Sequence, residues 1–359
     1  MKVSRENRVS KSMAVLGTGA IGSCVGADLT RAGHPVLLID QWPAHIEAMK
    51  ARGLKVVMQG KETQTPVQAI HLSELCAVRG EFDFVFLTAK SYDTRWMAEF
   101  IKPYLKPGGV LISVQNSLND EWISPLIGYE RDLASVVELS AEIFEPGVVK
   151  RNTDPSHTWF ALGELHGRVT PRLQEVAQIL SAAGKAEVST NIWGAKWTKL
   201  AVNCMSQAVC GILGILEWEI TQIPNLLELC IKLGREALQV GTALGYRAEP
   251  IFGLSVEEFL GSADEILEKN LKTLISHIGK ESRNSMLQDH LKGRLSEIDY
   301  LNGLIVKKGR AAGIPTPLNE VVVSLTREIE QKKLKPGRSN LSLLEKWTGN
   351  PFENRADSA

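Results

Sequence analysis

A stripe of polar side chains on one predicted helix contains the residues best suited to acid–base chemistry. Within Trp193 to Leu216, the spacing i, i+3, i+4 and i+7 aligns Lys196, Lys199, Asn203, Ser206, Gln207 and Cys210. No charged residue occurs between Lys199 and Glu217, so most of this helix is expected to be buried. A buried polar stripe needs partners or a wet cleft, and we favour a cleft over an ordinary surface stripe.

A carboxylate near the end of the chain is the second candidate. We predict a helix that begins near Ser285 and continues past Glu297, which would share a partly apolar face with Met286 and Leu301. A carboxylate there requires a cation or hydrogen-bond donors. An ordinary ion pair within the helix is the commoner outcome for such a glutamate.

A glycine-rich segment follows the first apolar run of the chain, and it reads Gly17, Thr18, Gly19, Ala20, Ile21, Gly22. In a G-x-G-x-x-G pattern the first glycine permits a tight turn, the second lets the backbone approach a pyrophosphate, and the third lets helix pack on strand. The free N–H groups and the dipole of the helix then favour phosphate. The segment therefore predicts a dinucleotide site, and the alternative is a flexible loop without a ligand.

Two charged residues at strand ends could complete that site. Asp40 lies 18 residues after Gly22, where a carboxylate can bind the adenine ribose hydroxyls and repel a 2′-phosphate. No Arg or Lys occupies positions 41–44, so NAD is favoured over NADP, although NADP stays possible. The alternative for Asp40 is a cap on the following turn. Lys90 follows the run Phe84–Thr88 and could touch a cofactor phosphate or ribose, or could be a solvated lysine.

The elements that must hold these residues form an α/β fold. An apolar run at 12–17, a helix over 21–32 that ends at Gly33, and a second run at 35–39 make one βαβ unit. Further predicted strands lie at 83–88, 110–114, 133–137 and 158–162. Because helical stretches separate several of them, we predict an N-terminal Rossmann-type doubly wound sheet, followed by an all-helical second domain.

The chain is long enough for two domains. We predict a flexible tail over 1–12, a dinucleotide-binding domain over 13–190, a helical substrate domain over 191–333 and an extended, peripheral tail over 334–359. An additional, lid-like helix or helix pair is expected within 255–280.

Composition excludes several classes of protein. Lys plus Arg and Asp plus Glu each number 41, so nothing favours a nucleic-acid surface. Five scattered cysteines without C-x-x-C, and histidines without paired spacing, argue against disulfides and a metal site. No stretch of 18 apolar residues occurs, so we expect no membrane segment and a cytoplasmic location.

Three separated motifs resemble the ketopantoate reductase family over residues 13 to about 333. They are the glycine segment, the segment 197–203 (WTKLAVN), and the run from 285–289 (SMLQD) through 297–303 (EIDYLNG) to 313–317 (GIPTP). The resemblance implies a hydride transfer between NAD(P) and a small 2-keto or 2-hydroxy acid, and a homodimer is possible.

The resemblance also implies roles for individual residues. Lys199 corresponds to the lysine that protonates the keto oxygen, and Glu297 to the glutamate that orients that lysine or the new hydroxyl. Asn203 and Ser285 correspond to substrate-binding residues, with Gln207 beside them on the helix. Asn116 corresponds to an asparagine near both nicotinamide and substrate.

The sequence departs from the family pattern at three places. The family's Q-N-G-x-G is here 115–119 (QNSLN), and its second helix asparagine is Gln207. Asp40 stands near the place where the family usually carries a basic residue that binds NADPH. These departures favour a relative that acts on another acid, in the oxidative direction with NAD if Asp40 sets the cofactor.

Two other functions compete with this interpretation. A 3-hydroxyacid dehydrogenase would also use a helical lysine and asparagine, but it lacks the E-I-D-x-x-N-G segment. A non-catalytic NAD-binding sensor or scaffold would keep the glycine segment without needing Lys199 and Glu297 together.

Overall fold

A computed structural model describes residues 11–346 of the chain. Its strands are β1 (Met13–Leu16), β2 (Val36–Asp40), β3 (Leu54–Met58), β4 (Lys61–Thr65), β5 (Gln68–His71), β6 (Phe82–Leu87), β7 (Leu105–Val114), β8 (Asp132–Glu138), β9 (Ala141–Glu145), β10 (Val148–Arg151), β11 (Trp159–Glu164) and β12 (Lys185–Val188). Its helices are α1 (Ala20–Arg31), α2 (Pro43–Arg52), α3 (Thr94–Ile101), α4 (Asp120–Ile127), α5 (Pro171–Leu180), α6 (Ile192–Leu213), α7 (Leu226–Ala243), α8 (Ala263–Ile278), α9 (Ser285–Leu291), α10 (Asn302–Ala312), α11 (Pro317–Glu330) and α12 (Leu341–Glu345).

The large sheet contains eight strands in the order β12-β11-β8-β7-β6-β1-β2-β5. The pairs from β8 to β5 are parallel, while β11 runs antiparallel to β8. Every strand predicted from the sequence lies in this sheet, although β7 begins at Leu105, before the predicted start. The expected doubly wound α/β fold is confirmed.

Alternation along the strands explains why the sheet is covered on both faces. In β6, Phe84 and Phe86 pack in the cluster that contains α1, whereas Val85 and Leu87 pack in the cluster that contains α3. Successive side chains of a strand point to opposite faces, so a fully apolar run requires helices on both sides. This arrangement leaves the ends of the strands free to carry polar groups.

A second, four-stranded sheet was not predicted from the sequence. Its order is β4-β3-β10-β9, and the central pairing of β3 with β10 joins segments about 90 residues apart. The outer strand β4 (KETQT) is mostly exposed and carries no alternation of apolar residues. Its partners in space, not its local sequence, make it a strand. Through β9 this sheet brings Ile143 and Phe144 to the cleft described below.

The long helix α6 lies at the centre of the helical part of the chain. The side chain of Asn191 caps its start by accepting from the N–H of Gly194 at 3.2 Å, and Gly214, with φ of 64°, ends it. All of its residues except Trp193 are buried. The predicted helix is confirmed, and its end falls before Leu216 because Gly214 adopts the left-handed conformation.

The predicted helix from Ser285 through Glu297 is wrong. Helix α9 ends at Leu291, and Gly293 turns the chain away in the left-handed conformation with φ of 63°. Glu297 instead precedes a short 3-10 turn, Ile298–Tyr300, and helix α10 starts only at Asn302. The face that Glu297 was expected to share with Met286 does not exist.

The prediction of an extended, peripheral tail is also wrong for residues 334–346. The amide of Asn340 donates to the backbone carbonyl of Ile212 at 3.0 Å, and Leu344 is buried against the helical core. The 3-10 turn Arg338–Asn340 therefore packs onto the end of α6, and α12 packs against α11. The rest of that tail, 347–359, and residues 1–10 of the N-terminal tail lie outside the described residues.

Helix α8 accounts for the additional helix expected within 255–280, and its lid-like role stays a prediction, as do the domain boundaries. Ser262 and Glu265 form a capping box at its start, and Leu267, Leu271 and Leu274 are buried. Between residues 11 and 346, no helix is both long and apolar enough to cross a membrane.

Candidate active site

A cleft of about 560 Å³ lies between the carboxyl ends of the central parallel strands and helix α6. In open α/β sheets ligands bind at this edge. The predicted site residues that line it are Gly17, Gly19, Ala20, Ile21, Asp40, Lys90, Asn116, Lys199, Asn203, Gln207, Ser285 and Glu297. Thr18 and Gly22 do not line it, and both are buried.

The three glycines of the loop differ in the space around them. Gly17 has φ of 88°, and a Cβ there would lie 2.8 Å from the backbone nitrogen of Ala89. A Cβ at Gly22 would collide with Thr88 Oγ1 and the carbonyl oxygen of Gly17, so helix α1 could not approach the sheet. A Cβ at Gly19 would meet nothing within 4 Å. The loop therefore leaves open space beside Gly19, at the start of α1, where phosphate binds in such folds.

Asp40 both caps a turn and lines the cleft. Its Oδ1 accepts from the N–H of Trp42 at 2.8 Å. Burial raises the pKa of Asp40, and the hydrogen bonds from Trp42 and Thr18 oppose that rise. Gln41 and Trp42 follow it in the cleft wall, and Gln41 Nε2 lies 3.3 Å from Asp93 Oδ2, so none of these three residues is a cation. The two alternatives considered for Asp40 are thus compatible.

Lys90 is not a solvated lysine at a strand end, because two carboxylates of the helical part of the chain hold it. Its Nζ lies 2.7 Å from Asp289 Oδ2 and 3.1 Å from Glu297 Oε2. Glu297 Oε1 also accepts from the backbone N–H and the hydroxyl of Ser91, at 2.9 and 2.7 Å. We call these four residues the clasp. It joins the end of β6 to the segments around α9 and α10.

The clasp shifts the pKa of Lys90 and the pKa of Glu297 so that both groups stay charged. Burial disfavours the ammonium of Lys90, but Glu297 and Asp289 outweigh this and hold its pKa above the ordinary value. Burial likewise opposes ionisation of Glu297, but Lys90 and Ser91 lower its pKa. Glu297 is therefore a carboxylate paired with Lys90, and not the partner of an ordinary helical ion pair. Within residues 11–346 it forms no ion pair with Lys199.

Lys199 has a very different environment on the opposite wall. Its side chain is 7% exposed, and its Nζ lies 4.5 Å from the centre of the Phe252 ring. Among the described residues, no carboxylate approaches its ammonium within ion-pair distance. Burial lowers the pKa of Lys199, and the more distant Glu138 and Glu217 oppose that shift. The stacking contact with Phe252 is a cation–π interaction.

Amide and hydroxyl groups that line the same cleft are hydrogen-bonded in pairs. Asn203 donates to Asn116 Oδ1 at 3.0 Å across the two walls, and its own Oδ1 is buried without a partner among the described residues. Ser285 donates to Gln207 Oε1 at 3.2 Å. These groups can reorient towards a bound molecule, since a hydroxyl and an amide both donate and accept.

The rest of the predicted polar stripe does not face the cleft. Lys196 forms a fully buried ion pair with Asp120 at 2.7 Å. Ser206 donates to Glu217 at 2.6 Å, and Cys210 belongs to the helical core. The stripe therefore reaches the cleft only through Lys199, Asn203 and Gln207.

Several lining residues were missed from the sequence. Three are cations near α9, namely Arg283, Lys292 and Arg294. Burial, and then Arg294, lower the pKa of Lys292 to about 8. Glu138, at the end of β8, and Glu217, after α6, are buried carboxylates that also line the cleft. Proximity of the three cations to the segment 285–289 was the available signal, whereas nothing in the sequence marked Glu138 or Glu217.

Ser117 occupies the place of a family glycine and keeps the conformation that glycine favours. Its φ is 74°, in the left-handed region. Its hydroxyl donates to the backbone carbonyl of Tyr300 at 2.6 Å. This hydrogen bond compensates for the strain and ties the segment after β7 to the segment before α10.

The fold and the cleft together define a class of protein. A glycine loop at the start of α1, a carboxylate at the end of β2 and a facing helix with a buried lysine are the features of a nicotinamide-dependent oxidoreductase. The family model described as ketopantoate reductase PanE/ApbA matches residues 13–164, and the model of the C-terminal part of that family matches residues 191–330. The chain belongs to the ketopantoate reductase family, an NAD(P)-dependent family that acts on CH–OH groups.

Curated relatives and solved structures agree with this assignment. The chain is 30% identical to a 2-dehydropantoate 2-reductase of Archaeoglobus fulgidus, over 88% of this chain and 97% of the relative. It is 31% identical to the enzyme of the same name from Pyrococcus horikoshii, over 88% of this chain and 96% of that one. A ketopantoate reductase structure from Ralstonia eutropha superposes with a TM-score of 0.75 at 30% identity, covering 90% of this chain and 99% of that one. D-mandelate dehydrogenase with NADH and anilino(oxo)acetate superposes with a TM-score of 0.77 at 25% identity, covering 89% and 99%.

Proposed function

We propose that this protein reduces a small 2-keto acid to the 2-hydroxy acid, with Lys199 as the general acid. The observation that carries the proposal is the buried ammonium of Lys199, which faces the cleft without a carboxylate partner among the described residues. A nucleotide-binding sensor would have no use for such a group. The 3-hydroxyacid dehydrogenase alternative is disfavoured because the matching family model extends over the helical segments as well.

The residues at the strand ends and at the start of α1 fit a dinucleotide. Open space beside Gly19 and the uncapped start of α1 suit a pyrophosphate. Asp40 would hold the ribose hydroxyls of the adenosine. The nicotinamide of the bound cofactor supplies the hydride. We propose residues 13–190 as the part that holds the cofactor and 191–333 as the part that holds the acid.

The polar residues that line the rest of the cleft would then each have a defined task. Lys199 donates its proton to the keto oxygen as negative charge develops there, and burial favours that donation by lowering its pKa. Asn203, Asn116, Gln207 and Ser285 would hold the acid through their reorientable amides and hydroxyl. Glu297 would act indirectly, because its carboxylate is engaged by the clasp.

The carboxylate of the acid needs a cation, and the cleft provides one. Lys292 lines the cleft and stacks over the ring of Phe144 at 4.4 Å. Its lowered pKa reflects burial and the repulsion of Arg294, and the negative charge of an arriving carboxylate would oppose both effects. Binding of the acid would therefore raise the pKa of Lys292 and draw a proton onto it.

Asp40 supports a preference for NAD over NADP. A buried carboxylate with Gln41, Trp42 and Asp93 around it offers nothing to neutralise a 2′-phosphate. We expect NADH to bind more tightly than NADPH, and the Asp40→Asn variant to lose about tenfold or more of its NADH affinity. Fluorescence titration with both cofactors measures this, and Asp264→Asn, which removes an exposed carboxylate paired with Arg235 outside the cleft, is the matched control. Tighter binding of NADPH by the unaltered protein would contradict the preference.

A panel of 2-keto acids, followed by NADH absorbance, tests the reaction itself. We expect turnover of at least one acid, and we include ketopantoate and aromatic 2-keto acids in the panel. The corresponding 2-hydroxy acids with NAD test the oxidative direction. A protein that binds NADH but turns over no member of either panel would be a sensor, contrary to the proposal.

A further inference from the structure

A line of ionisable side chains connects the cleft beside Lys199 to the surface. Glu138, at the end of β8, lines the cleft. His277, on the last turn of α8, lies behind it, and His157 and Asp154 lie on the segment between β10 and β11. None of these residues has a task in the reaction described above.

Short contacts join the members of the line. Glu138 Oε1 lies 2.8 Å from His277 Nδ1. The ring centres of His277 and His157 are 4.7 Å apart, and His157 Nδ1 lies 3.0 Å from Asp154 Oδ2. The side chains become more exposed outwards, from 1% at Glu138 to 19% at His277 and 47% at His157. The line therefore leads from a buried carboxylate to solvent.

At the inner end of the line, one carboxylate oxygen lacks a hydrogen-bond partner among the described residues. Glu138 Oε2 is buried and has no hydrogen-bond partner among the described residues, which is costly for a carboxylate oxygen. Of the charged groups that act on Lys199, Glu138 has the largest electrostatic effect. A proton or a bridging water between these two groups would satisfy that oxygen.

Lys199 requires a source of protons if it is the general acid. Its side chain is only 7% exposed, and cofactor and acid would fill the cleft in front of it. After each reduction the neutral amine must regain a proton before the next one.

We propose that Glu138 and His277 form a proton relay that recharges Lys199, an inference that rests on the proposed role of Lys199. Lys199 gives one proton to the keto oxygen. The carboxyl group of Glu138 passes a proton to the resulting amine and takes one from the imidazolium of His277. His277 regains its proton from solvent, so each turnover consumes one hydride and one solvent proton.

The other carboxylate near Lys199 cannot serve in this way. Glu217 accepts from the hydroxyl of Ser206, which is fully buried in α6. No described contact leads from this pair to solvent. Glu217 can influence the pKa of Lys199, but no chain of described ionisable side chains would return a proton to it from solvent.

The relay also predicts a pH dependence. Its hydrogen bond with Glu138 raises the pKa of His277, although burial opposes this, and Asp154 adds to the rise. The groups that face it are Glu138 from β8, with Lys199 beyond, and His157 and Asp154 from the segment after β10. Because the relay needs the imidazolium, steady-state reduction falls as pH rises through the pKa of His277.

Rapid-mixing measurements on His277→Asn test the relay, because the first turnover uses a proton already on Lys199. We expect a first turnover at the unaltered rate, then steady-state turnover slower by about tenfold. Added imidazole should accelerate the slow phase in proportion to its concentration, which a purely structural role would not explain. Glu138→Gln should slow the same phase without rescue by imidazole.

The matched control is His166→Asn, which removes an exposed histidine 3.8 Å from Glu164 and far from the line. It should behave like the unaltered protein. A His277→Asn variant whose later turnovers match its first, or whose slow phase ignores imidazole, overturns the relay. Loss of the first turnover itself, in the variant that retains Lys199, would count against the relay and leave the role of Lys199 to its own test.

Discussion

Two lysines line the cleft from opposite walls, and their surroundings differ completely. Lys90 is held by two carboxylates at 2.7 and 3.1 Å, whereas Lys199 lies over an aromatic ring with no carboxylate at ion-pair distance among the described residues. The pKa of the first is raised and that of the second is lowered. Carboxylates stabilise an ammonium, while burial alone destabilises it. Lys90 is therefore built to stay charged, and Lys199 to give up a proton.

The largest effect that tests this difference is loss of turnover in Lys199→Met. Without a proton donor at the keto oxygen, we expect kcat to fall by about 10²–10⁴-fold. NADH affinity, measured by fluorescence, should stay close to that of the unaltered protein. The comparison fails if Lys90→Met, assayed beside it on folded protein, loses turnover as severely.

The second effect concerns stability. Lys90→Met leaves Glu297 buried without its cation, so we expect the free energy of unfolding to fall by about 3 kcal/mol. Urea unfolding measures this change. The control is Lys106→Met, which breaks an exposed pair with Asp83 at 2.7 Å and should cost less than about 1 kcal/mol. Equal losses in the two variants would mean that the clasp adds no more than a surface ion pair.

The same variant has a pH signature. In the unaltered protein Glu297 has a lowered pKa, so its contribution to stability is present above its unfolded pKa and is lost as pH falls through the folded one. In Lys90→Met burial would raise that pKa, so protonation relieves the penalty. The gap in stability between the two proteins should be widest near neutral pH and should shrink towards about pH 4. A constant gap would contradict this account.

The smallest effect concerns the ring beneath Lys199. Phe252→Leu removes a cation–π contact worth about 0.5–2 kcal/mol, which favours the ammonium. We expect the pH at which the rate of the first turnover begins to fall to move down, because the pKa of Lys199 would be lowered further. The pH profile of that first turnover checks this, with Phe100→Leu, a half-buried ring on α3, as the control. A shift in the upward direction would show that the ring does not stabilise the charge.

Local sequence was enough to predict much of this protein. The glycine loop, the apolar strands of the large sheet and helix α6 each follow from spacing within a short segment. Gly17 and Gly22 meet separate steric demands that involve nearby loop and strand residues, including Thr88 and Ala89 after β6. Short-range patterns of this kind are readable because the physics that selects them is itself short-range.

Tertiary structure decided which of the candidate groups meet. The sequence identified Lys90, Lys199 and Glu297 as candidates. Only the fold shows that Glu297 pairs with Lys90 and that Lys199 lies over Phe252. The left-handed conformation of Gly293 ends the expected helix, and β3 pairs with β10, about 90 residues further along the chain. The residues that line the cleft therefore could not be predicted from local sequence. Charges on a buried lysine depend on atoms within a few ångströms, whatever their distance in sequence. The residues were therefore set by the sequence, and their protonation by the packing around them.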